Sequence, residues 1–225
     1  MCPQQTTRVN QSSRSFRTPR QPTEAKASRP IARKQKKPNC QQLSMTSREL
    51  WSEGYDKVAG VDEVGRGPLA GPVVAAAVIL PREAQGEVGV DGEALEYLDQ
   101  LDDSKKLSER QREEVFEKLT QDPRVVWAVE FKSNRDIDAG NILACAEAAM
   151  VSCTAATPPS LPADGNRVPK ALKVPAEPIV KGDGLCCNIA AASIIAKVTR
   201  DRFMNDAHEK WPEYNFLKNK GLPYC

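Results

Sequence analysis

Along the body of the chain, short apolar runs occur together with longer stretches in which apolar residues recur at helical spacing. Three runs, at residues 57–63, 73–80 and 125–131, are rich in Val and Ala and have the length of β-strands. Because these strands lie early in the chain and close in sequence, they predict an antiparallel meander. The body as a whole is expected to mix α-helices and β-strands.

Three stretches have the apolar periodicity of helices. The first, at 108–120, begins with Ser108 and Gln111 at the spacing of a capping box. A second helix is predicted at 139–155. The clearest helix is at 189–205, and its Ala-rich face predicts close packing against a sheet.

The first 44 residues differ from the rest in composition. They carry ten Lys or Arg and one acid, Glu24. Without apolar periodicity, they are predicted to form a disordered basic tail. Their composition fits a transit peptide, which would direct the chain to a mitochondrion or plastid. A nuclear signal or nucleic-acid arm at 33–37, and a solvated extension of a cytoplasmic protein, are the alternatives.

The remaining residues limit the location and the chemistry. The protein is expected to be intracellular, and the sequence has no apolar stretch of about 18 residues that would predict a membrane span. His208 is the only histidine, which argues against a His-based triad or a His-ligated zinc. The seven cysteines contain no C-x-x-C pair, so free thiols in a reducing compartment are expected.

Two acids stand side by side at the end of the first apolar run, before a glycine-rich loop. A buried carboxylate is costly without a cation or a donor, and glycine backbone in the loop at 65–71 can approach a ligand closely. Asp62, Glu63 and the loop's Arg66 therefore suggest a hard metal ion beside a phosphate. Since neighbours in a regular strand face opposite ways, both acids can share a site only if the strand ends or bulges there. A solvated strand end is the alternative.

Five further residues lie in turn or loop settings. Asp164 and Asp183 each precede a glycine, so ordinary turn chemistry is the alternative to a functional role. Ser104, Lys105 and Lys106 lead into the first helix. Such residues contact phosphates at helix starts, but a solvated loop is equally compatible with them.

Two other sequence patterns are not assigned to a functional site. The loop at 65–70 loosely fits a dinucleotide-binding fingerprint, but Pro72 and a strand follow where that fingerprint requires a helix. The charged segment at 200–202 is expected to form surface ion pairs.

Several motifs occur in a fixed order along residues 50–221. An acid–glycine motif at 59–73 is followed by a lysine motif at 103–108, a helical motif at 141–150 and an acid–glycine turn at 164–166. The last segment, at 180–201, contains a second acid–glycine turn that leads into a second helical motif. In order and spacing they closely resemble ribonuclease HII, the type 2 ribonuclease H family, in its bacterial branch.

The resemblance implies a ribonuclease H-like α/β fold with a mixed five-stranded sheet flanked by helices, formed by a catalytic domain at 45–225. It implies four carboxylates that bind Mg²⁺ or Mn²⁺ and carry the catalysis: Asp62, Glu63, Asp164 and Asp183. Six residues are expected to bind substrate: Gly65, Arg66, Gly67, Ser104, Lys105 and Lys106.

The implied activity is that of a ribonuclease H, a metal-dependent endonuclease. It would hydrolyse the RNA strand of RNA–DNA hybrids and cut at ribonucleotides embedded in duplex DNA, leaving 3′-hydroxyl and 5′-phosphate ends. Two metal ions roughly 3.5–4 Å apart would activate water and stabilise the leaving oxygen. The expected partners are these duplexes, without a membrane or an obligate protein partner.

The chain departs from the family pattern near its C-terminus. Leu222 stands where the family has a tyrosine that packs on the ribose, and Tyr224 is two residues away. The family's later segment does not follow, so the domain is expected to be incomplete at its C-terminus. Pro162 should disturb the strand before Asp164, which is a broken strand at best. The alternative function is therefore a truncated, catalytically impaired remnant that still binds nucleic acid.

Overall fold

The computed structural model describes residues 8–9, 45–55, 57–82, 101, 107–155, 161–164 and 168–223. Six strands and six α-helices occur in this part of the chain. The strands are β1 (Arg8–Val9), β2 (Gly60–Val64), β3 (Val73–Ile79), β4 (Val126–Lys132), β5 (Leu161–Asp164) and β6 (Ala176–Ile179). The helices are α1 (Met45–Ser52), α2 (Glu109–Gln121), α3 (Asn134–Ala139), α4 (Ile142–Ala155), α5 (Cys187–Lys210) and α6 (Phe216–Asn219).

One mixed sheet joins all the described strands, in the order β1-β4-β3-β2-β5-β6. Strands β2, β3 and β4 are antiparallel neighbours, which confirms the predicted meander. Strand β5 runs parallel to β2, and β6 runs parallel to β5. The five strands β2–β6 form the expected mixed sheet. The two-residue strand β1 adds a sixth at its edge, so the tail predicted to be disordered contributes Arg8–Val9 to the sheet beside β4.

The two faces of the sheet pack against different helices. On one face, Val74, Ala76 and Val78 of β3 pack with α2 and α5. On the other face, the intervening Ala75 and Ala77 pack with α4. This alternation follows from the period of two along a strand, and the small side chains let the helices lie close to the sheet. The predicted packing of the Ala-rich helix on the sheet is confirmed.

Helices occur where they were predicted, but the residues at which they begin and end differ from the prediction. Helix α2 begins after Ser108, whose hydroxyl and backbone form the expected capping box with Gln111. The helix predicted at 139–155 is two helices, because α3 ends at Ala139 and Gly140 separates it from α4. The side chain of Asn141 starts α4 by accepting the Ala144 N–H at 2.8 Å. Helix α5 is longer than the predicted 189–205.

Strand β5, which ends with Asp164, is a regular strand of four residues rather than the predicted broken one. Its backbone pairs with all four residues of β6 but with β2 at one position, where Ala163 lies opposite Val61. Proline has no N–H to donate to a ladder, and Pro162 lies next to this single pair. The pairing of the described residues with β2 is therefore confined to one position, but the strand still reaches Asp164.

The cysteines only partly follow the expectation of free thiols. Cys145, Cys153 and Cys186 are free and buried, and burial raises the pKa of the Cys153 and Cys186 thiols. Cys187, in contrast, is disulfide-bonded. The sequence could not reveal this bond, because adjacency of Cys186 and Cys187 says nothing about distant cysteines. No helix in the described ranges has the length and apolarity needed to span a membrane.

Candidate active site

The acidic pair lies in a regular stretch of β2. Asp62 is opposite Ala76 and Glu63 is opposite Ala75, and the ladder continues for one more residue. No bulge separates the two acids, and the strand ends only after Val64. Alternation along the strand therefore directs the Cβ atoms of Asp62 and Glu63 to opposite faces of the sheet. Asp62 is on the α5 face and Glu63 on the α4 face.

The two carboxylates also differ in their surroundings. Asp62 is 8% exposed, and its Oδ1 accepts the N–H of Glu63 at 2.8 Å. The Oε1 of Glu63 accepts a hydrogen bond from Nη1 of Arg66 at 2.9 Å. Half of the Arg66 side chain is exposed, so this ion pair contributes little to stability. It does hold Arg66 beside the acids, at the start of the glycine-rich loop.

The other two predicted acids come to the same end of the sheet through strand pairing. Asp164 is one residue beyond Ala163, as Asp62 is one beyond Val61, so their backbones lie in register on the parallel strands β2 and β5. Asp164 also pairs with Ile179, the last residue of β6. A 3₁₀ turn at Gly182–Gly184 follows β6 and contacts both β5 and α5. This turn contains Asp183, which is 7% exposed.

The side chain of Asp164 lies outside the described residues. Among the side chains that are described, no three acidic, histidine or cysteine groups form a ready metal cluster. The backbone thus brings Asp62, Asp164 and Asp183 to the carboxyl ends of β2, β5 and β6, and Glu63 adjoins them. Their action as one metal site stays a prediction. Ser104, Lys105 and Lys106 also lie outside the described residues.

The glycine-rich loop at 65–72 is held in a fixed, compact form. Gly65 and Gly71 have φ of 106° and 94°, values that favour glycine. A Cβ on Gly65 would overlap the Pro72 carbonyl oxygen, so the loop folds back onto itself. Gly67 has no heavy atom within 4 Å of a would-be Cβ. A side chain at this position would meet open space, and close approach of a ligand to this backbone stays a prediction.

Arg200 corrects the prediction that the segment at 200–202 forms surface ion pairs. Arg202 does pair with Glu113 and Glu117, but Arg200 is only 1% exposed. Its burial lowers the pKa of the guanidinium group. Arg200 lies four residues after Ala196 and four before Met204, within the buried stripe of α5. That helical spacing was the signal that the sequence offered.

A segment near the C-terminus docks against the glycine-rich loop. The carbonyl oxygen of Gly221 accepts the N–H groups of Leu69 at 2.9 Å and Ala70 at 3.2 Å. A Cβ on Gly221 would overlap the Ala70 carbonyl oxygen, so only glycine permits this approach. The next residue, Leu222, is 53% exposed. The structure therefore brings the segment at 219–222 to the loop that the sequence predicts to bind substrate.

Comparison with known proteins identifies the family. The sequence model of ribonuclease HII matches residues 59–224, a stretch that contains the glycine-rich loop and all four predicted acids. The chain belongs to the ribonuclease HII family. It is 44% identical to ribonuclease HII of Geobacillus thermodenitrificans over 184 residues, which are 80% of the chain and 65% of that protein. It is 46% identical to ribonuclease HII of Chlamydia trachomatis over 184 residues, 80% of the chain and 78% of that protein.

A solved structure supports the ribonuclease HII fold independently. The ribonuclease H2 from Pyrococcus horikoshii superimposes with a TM-score of 0.59 at 27% identity. The match covers 74% of this chain and 81% of the archaeal one. The expected ribonuclease H-like α/β fold is confirmed. The chain spans about two thirds of the length of the Geobacillus ribonuclease HII.

Proposed function

We propose that the chain is a metal-dependent endonuclease that hydrolyses the RNA strand of RNA–DNA hybrids and cuts duplex DNA at embedded ribonucleotides. The observation that carries the proposal is the register of Asp62 with Asp164 on parallel strands, next to the glycine-rich loop, in a chain of the ribonuclease HII family. Ligand sites form at the carboxyl ends of parallel strands because the loops there converge.

The acids at this edge suit Mg²⁺ or Mn²⁺, which prefer carboxylate oxygens. Asp62 and Asp183 are each less than one tenth exposed, and carboxylates so deeply buried are favoured by a nearby cation. Asp62, Asp164 and Asp183 would hold the metal, and Glu63, whose Cβ points to the other face of the sheet, would reach it around the end of β2, which comes one residue later. When bound, a pair of such ions would supply an activated water and would stabilise the leaving oxygen in an in-line displacement at phosphorus.

The glycine-rich loop supplies the substrate recognition in this proposal. A nuclease that acts at ribonucleotides must detect the 2′-hydroxyl, which distinguishes RNA from DNA. The open backbone at Gly67 allows a ribose to approach closely. Arg66, whose side chain is half exposed, provides a cation for a neighbouring phosphate. Ser104, Lys105 and Lys106 are proposed as further phosphate contacts.

The direct test uses the full chain and three labelled duplexes: an RNA–DNA hybrid, a DNA duplex with one ribonucleotide, and an all-DNA duplex. We expect cleavage of the first two with Mg²⁺ or Mn²⁺, ends with 3′-hydroxyl and 5′-phosphate, and no cleavage with EDTA. Cleavage of the all-DNA duplex at the same rate would rule out recognition of the 2′-hydroxyl. Absence of cleavage of all three, with a folded chain, would sink the catalytic proposal.

A second candidate, an impaired nucleic-acid-binding remnant, is favoured by one observation. Leu222 adjoins the glycine-rich loop through Gly221 and is exposed, at the position where the family has a ribose-packing tyrosine. An aliphatic side chain cannot present an aromatic face there. The remnant would bind the duplexes with little or no cleavage.

The change Leu222→Tyr is expected to lower KM for the duplex with one ribonucleotide. A new contact of about 1 kcal/mol corresponds to a change of about fivefold. The measurement is KM from steady-state kinetics of this variant and of Leu222→Met, which replaces leucine with an unbranched side chain that has no ring. Equal effects from Tyr and Met would mean that the ring makes no contact with the ribose.

A further inference from the structure

Arg200 differs from the other charged residues of α5 in what it contacts. Its Nε, Nη2 and Nη1 atoms donate hydrogen bonds to the carbonyl oxygens of Pro72 at 3.0 Å, Ala70 at 2.9 Å and Lys220 at 2.9 Å. The neighbouring Asp201 forms its ion pair with Lys197. The guanidinium group thus uses its planar array of donors to hold backbone from two segments that are distant in sequence.

The glycines of the loop are fitted to this guanidinium group. A Cβ on Gly65 would come to 2.8 Å from Arg200 Nε, and a Cβ on Gly71 would come to 3.1 Å from Nη2. Any larger residue at either position would displace the arginine as well as strain the backbone, whose φ is positive at both. Loop and side chain therefore depend on each other.

The same contacts connect the loop to the C-terminal segment. Arg200 binds the carbonyl of Lys220, and the following Gly221 accepts the N–H groups of Leu69 and Ala70. The loop's backbone is fixed from one side by a side chain of α5 and from the other by Gly221. The side chain of Leu69 is 83% exposed, so it contributes little packing to the loop.

We infer that Arg200 is a positioning residue for substrate recognition, which sets the conformation of the glycine-rich loop without touching the substrate. The inference rests on the proposed function of that loop. A buried charge is costly unless it is fully hydrogen-bonded. The hydrogen bonds that stabilise the buried guanidinium group of Arg200 are made to the backbone of the glycine-rich loop and of Lys220. Because Arg200 acts through the loop and not through the acids, its loss should impair substrate binding more than turnover.

The test compares Arg200→Lys and Arg200→Met with Arg202→Met, a control on the same helix whose arginine contacts Glu113 and Glu117. Amide hydrogen exchange of residues 65–72 and steady-state kinetics on the duplex with one ribonucleotide are measured for each. We expect both Arg200 variants to exchange faster in the loop and to raise KM about tenfold with little change in kcat, as for a misplaced recognition element. Arg202→Met should change neither measurement.

Three results would overturn the inference. They are unchanged loop exchange in Arg200→Lys, a loss confined to kcat, or failure of the lysine variant to fold, which would leave Arg200 with a role in stability alone. If Arg200→Met does not fold, Arg200→Lys decides. If the unmodified chain cleaves no duplex, the proposed function fails, whereas hydrogen exchange still tests whether Arg200 orders the loop.

Discussion

Replacing Asp62 with Asn is expected to abolish cleavage of both ribonucleotide-containing duplexes while leaving the chain folded. The amide keeps the size of the carboxylate, and its oxygen can still accept the N–H of Glu63, so the change removes mainly the negative charge. Loss of groups that merely support metal ligands reduces activity about 10–100-fold, so we expect a loss of more than about 100-fold for a ligand itself. The measurement is kcat/KM at saturating Mg²⁺, with thermal unfolding recorded alongside.

Asp201→Asn is the matched control for this variant. Asp201 is 6% exposed, close to the 8% of Asp62, but it pairs with Lys197 on α5 and lies outside the proposed site. Its loss should lower the unfolding temperature and leave kcat/KM of the folded protein near that of the unmodified chain. If Asp62→Asn stayed active, or if both variants lost activity equally, Asp62 would have no special role in the reaction.

Among substitutions that add one methyl group to a residue of β2, Gly60→Ala is expected to lower the free energy of unfolding most. A Cβ at this position would overlap the backbone of Asn188 and Ile189 at the start of α5. Overpacking typically lowers the free energy of unfolding by about 1–3 kcal/mol. Backbone atoms cannot rotate away from the added methyl group, as a flexible side chain could. We therefore expect a loss of about 3 kcal/mol, which would lower the unfolding temperature by about 6–12 °C for a domain of this size.

The start of α5 cannot move to relieve this overlap. Asn188 is fully buried. Its side chain accepts the Leu80 N–H at 3.0 Å and donates to the Val58 carbonyl at 3.1 Å and to Ser47. Gly67→Ala, where the added Cβ meets open space, is the control for stability. Equal unfolding temperatures for the two variants would show that strand and helix separate more easily than these contacts indicate.

The strands and helices were predictable because their apolar periods are strong. The antiparallel meander and the capping box at Ser108 follow from local chemistry and are confirmed. The division between α3 and α4 at Gly140 was missed, because one glycine inside a helical pattern does not reveal whether the helix stops. The strand at Arg8–Val9 was also missed, since two residues are too few to carry a period.

The candidate site was predictable in part. The sequence motifs identified the family, and the acids follow strands that run side by side. Sequence alone did not reveal that β2 stays regular through Asp62 and Glu63, because a ladder's regularity depends on its partner strand. Arg200 was misjudged because a charged residue is normally exposed, and its three carbonyl partners lie about 20 to 130 residues away.

The docking of Gly221 on the glycine-rich loop bears on how the protein is made. The N–H groups of Leu69 and Ala70 find their acceptor about 150 residues later in the chain, so these bonds are among the most non-local in the fold. During translation the loop emerges from the ribosome long before that acceptor is synthesised. Its amides must bind water until then. The nascent chain can therefore complete the glycine-rich loop only after residue 221 has been synthesised.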